Sequence, residues 1–173
     1  MSFAIIRNEK YTKDQMIKLA PHNERVKTKY SNQNIDLSRS HLNYHLKKPI
    51  YTNYFKEFKR LKEENNLKGQ LHKNSIYACE MIITSDKDFF SSIGEKETKR
   101  YFKTAYEFVC NYKNLGSENI ISAVVHMDEE TPHMHITYIP VVNSKDKEGN
   151  PTRKIGGYDF WKEKNSYMLL QDA

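Results

Sequence analysis

The densest chemistry in the chain is the run His126-Met127-Asp128-Glu129-Glu130-Thr131-Pro132-His133-Met134-His135. Three of the seven histidines fall within those ten positions. Side chains alternate faces along a strand, so His133 and His135 point to the same side. The connection Met-Asp-Glu-Glu-Thr-Pro has the composition of a hairpin loop, which returns the chain beside itself and sets His126 next to that pair. Three imidazoles on one sheet face make a three-nitrogen site for a divalent metal, with positions open to water or substrate. Asp128, Glu129 and Glu130 hang over it as further ligands, as groups that orient a ligand histidine, or as a base. The competing explanation is a chance cluster of surface histidines. Strand spacing for two of them, with the third across a hairpin, weighs against it. No cysteine or fourth histidine is near to close a purely structural site, although Asp128 or Glu129 can fill that place.

Two more groups stand out: Pro21-His22-Asn23-Glu24-Arg25 and Ser38-Arg39-Ser40-His41-Leu42-Asn43-Tyr44. Taken alone, each reads as polar surface.

The elements that must carry these groups follow from hydrophobic spacing. Residues 3–7 predict a short strand. Residues 8–34 predict a helical turn followed by loop. Residues 40–46 show strand-like alternation. Apolar positions at Tyr51, Tyr54, Phe55, Phe58 and Leu61 predict a helix over 51–65, ended by Asn65, Asn66 and Gly69. Residues 75–84 predict a strand, and Ser85-Asp86 an N-cap for a helix over 87–112 that Gly94 divides. Residues 119–126 are the strongest strand and 131–142 the next. Residues 143–157 read as a charged loop, and 158–170, with Trp161, as a helix. The order implies an α/β (α+β) domain with a largely antiparallel sheet backed by helices, the histidine strands side by side near its middle. The chain is expected to be one domain over residues 1–173, cut on its C-terminal side from a longer protein.

Composition narrows the class. With 29% charged residues and no apolar run near the ~18 residues of a spanning helix, a membrane-embedded chain is excluded. Twelve tyrosines and eight phenylalanines argue against disorder. Cys79 and Cys110 are too few for a disulfide framework, so a reducing cytoplasm is the default. The net charge of +6 permits a polyanionic partner without requiring one.

The segments around His22 and Arg39, the stretch Ile82-Ile83-Thr84-Ser85-Asp86-Lys87-Asp88-Phe89-Phe90, and the histidine run resemble, in the same order, the Mob/Pre plasmid mobilisation proteins, the MobV-type relaxases. His133-Met134-His135 resembles the His-hydrophobe-His signature of the wider HUH endonuclease superfamily. The resemblance implies an HUH relaxase-like fold and a metal-dependent, site- and strand-specific nickase. Such an enzyme cuts plasmid origin-of-transfer DNA, stays joined to the 5′-phosphate and rejoins strands. Its partner is that DNA, single-stranded or hairpin near the nick. No small-molecule substrate and no membrane are expected for this fragment, and dimerisation would run through a C-terminal region outside it.

On this reading His126, His133 and His135 hold the ion, Mn²⁺ first and Mg²⁺ second, because imidazole favours the transition metal. Most HUH nickases use tyrosine, which makes Tyr44 a candidate nucleophile by analogy. The resemblance to the MobV group favours His22 instead. Its neutral imidazole would form a phosphoramidate, a labile linkage suited to rejoining. Arg25 then neutralises the phosphate, and Glu129 hydrogen-bonds His22 and takes its proton. Arg7, Lys27, Lys29, Arg39, Lys47, Lys48, Arg153 and Lys154, with Lys145 and Lys147, are candidate phosphate contacts. Tyr30, Tyr44 and Tyr51 are candidate base-stacking groups. Two rival readings are kept: a non-catalytic replication or partition module with a structural metal, and a hydrolase of small phosphate esters.

Overall fold

The computed structural model describes residues 2–163 and 166–172. Three strands with apolar side chains on both faces set the frame: β3 (Ala78–Thr84), β4 (Ile120–His126) and β5 (His133–Tyr138). With edge strands β1 (Ile5–Tyr11) and β2 (Tyr44–Lys47) they form a five-stranded sheet in the order β1-β3-β5-β4-β2, antiparallel at every pair. Strands buried on both faces need cover on both sides. Helices α1 (Lys13–Asn23) and α2 (Tyr54–Glu64) bury Met16, Ala20, Tyr54 and Phe58 against Ala78 and Ile121. Helix α3 (Lys87–Asn111) buries Phe90, Phe102 and Val109 against Met81, Ile83, Met134 and Ile136 on the other side. The histidine strands are therefore neighbours in the middle of the sheet, as the sequence implied.

Polar caps fix where the helices begin. Asn53 Oδ1 accepts from the Phe55 and Lys56 amides, both at 3.0 Å, and Asp86 Oδ1 from the Phe89 amide at 2.8 Å. Gly94 divides α3 with φ 75°, a left-handed conformation that favours glycine.

Three expectations need correction. Residues 8–34 are not a helical turn and loop: β1 runs on to Tyr11 and α1 has eleven residues. Their apolar signal is weak because β1 is a half-exposed edge strand, and α1 fully buries only Met16, Ala20 and Asn23. Residues 143–157 are not a loop. A hairpin of β6 (Val141–Lys145) and β7 (Pro151–Ile155) crosses them, turning at Gly149 with φ 83°. It is polar because it stands outside the main sheet and buries little beyond Val141 and Ile155. The helix expected over 158–170 appears as two pieces, α4 (Gly157–Phe160) and α5 (Ser166–Asp172), and Lys164 and Asn165 between them lie outside the described residues. A shorter shift affects 40–46, where a 3-10 turn over Leu37–Leu42 precedes β2.

Both cysteines are free, and no helix among the described residues is long and apolar enough to cross a membrane. Phe102 has no exposed surface and stacks on Phe90 with ring centroids 5.4 Å apart. Phe102→Ala is expected to destabilise the chain by about 3–5 kcal/mol, read as a lower urea midpoint at unchanged slope.

Candidate metal centre and nucleophile

The β4–β5 register pairs His126 with His133 and Val124 with His135, so all three imidazoles share one face at the hairpin end of the sheet. Their ring centroids lie 5.2 Å (126–133), 4.8 Å (126–135) and 5.0 Å (133–135) apart. One nitrogen of each ring is occupied by an acceptor. His126 Nε2 donates to the Asn23 carbonyl at 2.8 Å, His133 Nδ1 to the Thr131 carbonyl at 2.9 Å, and His135 Nδ1 to Glu80 Oε1 at 2.8 Å. A carbonyl accepts only from N–H, so the lone pairs remain on His126 Nδ1, His133 Nε2 and, with Glu80 ionised, His135 Nε2. Hydrogen bonds of this kind orient metal-binding histidines.

His135 Nε2 is buried with no hydrogen-bond partner among the described residues. An orphaned buried lone pair is costly unless something fills it, and this one fits a divalent ion. Glu129 Oε1 stands 3.7 Å from His133 Nε2 and 3.9 Å from His126 Nδ1. Burial first, and then the neighbouring His135 and Arg25, hold His126 well below its ordinary pKa. Burial and His135 lower His133 likewise. Both are neutral near pH 7, the form that ligates.

His22 sits on the last turn of α1, its ring centroid 5.6 Å from that of His126 and 5.4 Å from that of His135. Burial, followed by His135 and Arg25, pushes its pKa down to about 4, so it is neutral, and its Nδ1 lies 3.5 Å from Arg25 Nη1. Arg25 adopts φ 50° just beyond the helix, which folds its side chain back over the site. Its guanidinium donates to the His22 carbonyl at 2.8 Å, to His126 Nδ1 at 3.1 Å, to Asp128 Oδ2 and Oδ1 at 2.9 Å each, and to Glu129 Oε1 at 2.6 Å. It also lies 5.5 Å above the Tyr30 ring. Although burial opposes its charge, the Asp128 and Glu129 hydrogen bonds raise the Arg25 pKa further. A fixed cation thus faces the nucleophile candidate and the histidine lone pairs.

Two catalytic expectations change. Tyr44 pairs in register with Val125, so its side chain points to the α3 side of the sheet, away from the histidines. Its hydroxyl is buried with no hydrogen-bond partner among the described residues, and burial pushes its pKa up to about 12. The reason is strand alternation: His45, one residue on, takes the site face and pairs with Glu24 at 2.6 Å. Glu129, expected on His22, is bonded to Arg25 instead.

The basic candidates separate. Arg7 is exposed, on the histidine face, and its register partner Ile82 is paired in turn with His135. Lys27 and Lys29 are exposed on the segment after Arg25, which Tyr30 pins by donating to the Pro21 carbonyl at 3.0 Å. Lys48 is exposed just past β2. Arg39 donates to the Met127 carbonyl at 2.8 Å. It belongs to a brace that holds the histidine loop, together with Ser40 Oγ donating to Asp128 at 2.6 Å and the Met127 amide donating to Asn43 Oδ1 at 2.6 Å. Lys47, Arg153 and Lys154 are not brought to the histidines. Lys47 donates to the Ser117 carbonyl, Arg153 to the Asn114 carbonyl at 2.7 Å, and Lys154 pairs with Asp159 at 3.0 Å. Lys145 and Lys147 are exposed at the β6–β7 turn, and Tyr51 is exposed before α2.

Sequence reasoning missed Asn23, Glu80, Ser40 and Asn43 as supports. The one legible signal was Glu80, an acid inside the apolar run Ala-Cys-Glu-Met-Ile-Ile.

The family model described as plasmid recombination enzyme (Mob_Pre) matches residues 1–172. A plasmid recombination enzyme of Lactiplantibacillus plantarum is 43% identical over 146 residues, covering 84% of this chain and 40% of that protein. One of Streptococcus agalactiae is 40% identical over 147 residues, covering 84% and 29%. The chain therefore spans well under half the length of these relatives. A Mn-bound crystal structure of the MobM relaxase domain with plasmid pMV158 oriT DNA, at pH 6.8, aligns with TM-score 0.76 at 34% identity, covering 91% of this chain and 76% of that one. A second such Mn-bound complex, at pH 4.6, aligns with TM-score 0.78 at 32% identity, covering 98% and 83%.

Proposed function

The chain belongs to the plasmid recombination enzyme family, and from that premise we propose that it is a metal-dependent DNA relaxase. It nicks one strand of plasmid origin-of-transfer DNA, keeps the 5′-phosphate end covalently and rejoins strands, initiating mobilisation in the cytoplasm. The observation that carries this reading is the neutral His22 imidazole held against His126 and His135 with Arg25 beside it.

In the proposed reaction an imidazole nitrogen of His22 attacks phosphorus. The nitrogen–phosphorus bond forms as the bond to the 3′ oxygen breaks; the other ring nitrogen gives up its proton to solvent, and the 3′ oxygen takes one from water and leaves as a hydroxyl. Arg25, fixed by Asp128, offers its charge to the phosphoryl oxygens as negative charge builds. A divalent ion at His126, His133 and His135 supplies Lewis-acid polarisation of phosphate oxygens when bound. Mn²⁺ is the first choice, supported by the imidazole donors and by the Mn-bound MobM crystals, and Mg²⁺ the second. Arg7, Lys27, Lys29 and Lys48 are proposed to contact backbone phosphates. Tyr30 lies against Arg25 and pins the following segment, which supports a role in shaping the strand's path.

The test uses single-stranded origin DNA labelled 3′ to the nick, with Mn²⁺, and reads a covalent adduct on a denaturing gel. Wild type and Tyr44→Phe are expected to form it at rates within about 2-fold of each other, because the phenol is on the far face. Adduct that disappears in Tyr44→Phe overturns the assignment of the nucleophile. DNA that is retarded but never cut favours the binding-module reading.

A further inference from the structure

We propose that Asn23 is a positioning residue that couples metal binding to the placement of His22, an inference that rests on the relaxase reading above. Asn23 is the last residue of α1, directly after His22, and is 1% exposed. Its backbone carbonyl accepts from His126 Nε2 at 2.8 Å. Its side-chain amide donates to Glu80 Oε1 at 2.7 Å, and that same oxygen accepts from His135 Nδ1 at 2.8 Å. One residue therefore reaches two of the three metal-binding histidines, one through its main chain and one through its side chain.

The side chain must be a donor at this place. Glu80 is 3% exposed and acceptor-only when ionised, so its oxygen keeps its direction only while N–H groups point at it. Asn23 supplies one and His135 the other. An apolar side chain there frees the carboxylate to turn, and with it the imidazole whose Nε2 is buried and unpartnered.

The helix end is also anchored through the next residue. Glu24 accepts from Ser122 Oγ at 2.6 Å and Tyr54 Oη at 2.7 Å, and pairs with His45. That anchor fixes α1 without touching Glu80, and so it separates a general structural role from the proposed one. Coupling of this kind is reciprocal: an ion on the histidines holds the last turn of α1, and that turn holds the histidines.

The experiment is a Mn²⁺ titration by calorimetry on the whole chain without DNA, with amide hydrogen exchange over residues 20–25 as second readout. Wild type is expected to bind one Mn²⁺ and to slow exchange in that segment. Asn23→Ala, and Asn23→Leu, which keeps the branched outline but lacks the donor, are expected to weaken Mn²⁺ binding about 10–100-fold. Both should also lose the Mn²⁺-dependent slowing. Ser122→Ala loosens the same helix end and is expected to stay within about 3-fold of wild type in Mn²⁺ affinity. Asn23 variants that bind Mn²⁺ like wild type, or weaken no more than Ser122→Ala, overturn the coupling and leave the relaxase reading standing. If Asn23→Ala does not fold, the like-branched Asn23→Leu decides. A wild-type chain that binds no Mn²⁺, or a His135→Ala chain that binds it unchanged, overturns the metal centre and the coupling together.

Discussion

His22→Ala is expected to abolish the covalent DNA adduct, with strand cleavage falling roughly 10,000-fold, the scale on which loss of a covalent nucleophile shows. Among the described residues the nearby alternatives are badly placed to replace it. Tyr44 is on the opposite face of the sheet with its phenol held protonated. Tyr30 reaches the His22 ring only edge-on, at 6.4 Å between centroids, and its hydroxyl is committed to the Pro21 carbonyl. The histidines of the metal centre have their second nitrogens tied to Asn23, Thr131 and Glu80. The folded structure should survive, since the imidazole is only half-buried and belongs to neither apolar cluster. DNA retardation by His22→Ala should stay near that of wild type, because phosphate contacts and not the nucleophile dominate affinity. The check is a paired measurement on one preparation: adduct by denaturing gel and Kd by native gel. Adduct at wild-type yield from His22→Ala would move the nucleophile elsewhere. Near pH 7 the residue needs no general base to expose its lone pair, because its pKa is already pushed down to about 4. The Glu129 carboxylate is accordingly spent on Arg25 and not on His22.

How much of this was legible depends on which residues carried a pattern. His133-Met134-His135 announced two imidazoles on one face because strand alternation is written in the sequence itself, and Met134 on the other face is fully buried, as that alternation demands. His126 was legible because a hairpin leaves little freedom in what it brings together. Tyr44 was not, because its face depends on the register between β2 and β4, two strands far apart in sequence. The Arg39 segment looked like a basic patch for DNA. Its guanidinium in fact closes a brace on Met127, a long-range pairing that no local pattern encodes. The β6–β7 hairpin was lost for a different reason: it buries so little that its residues carry no alternation to read. Supports such as Asn23 are the hardest case, since half of what Asn23 does is done by its backbone carbonyl, which every residue type has.

His135→Ala is expected to remove Mn²⁺ binding and to take adduct formation below detection, even with excess Mn²⁺. His135 is on the central strand, its pair with Glu80 is almost wholly buried, and its free Nε2 is the buried lone pair with nothing else to meet. On the proposed three-histidine site, taking one of three protein donors leaves two, too few for a retained ion under turnover conditions. Part of the loss comes through stability. Truncation leaves the Glu80 carboxylate in the interior with only the Asn23 amide, and a buried acceptor that loses its partner costs about 1–3 kcal/mol. Chelation of wild type separates the two effects, since it strips the ion and leaves His135 and Glu80 bonded. Chelated wild type should lose activity, keep its unfolding midpoint far better than His135→Ala does, and recover on adding Mn²⁺. His133→Ala is the graded comparison. Its side chain is more exposed, 16% against 7% for His135, and its second nitrogen is tied only to the nearby Thr131 carbonyl. It should therefore weaken Mn²⁺ binding with little loss of stability, and excess Mn²⁺ should restore part of its activity. If nicking by wild type survives chelation unchanged, the histidines serve structure alone and the ion has no part in the reaction.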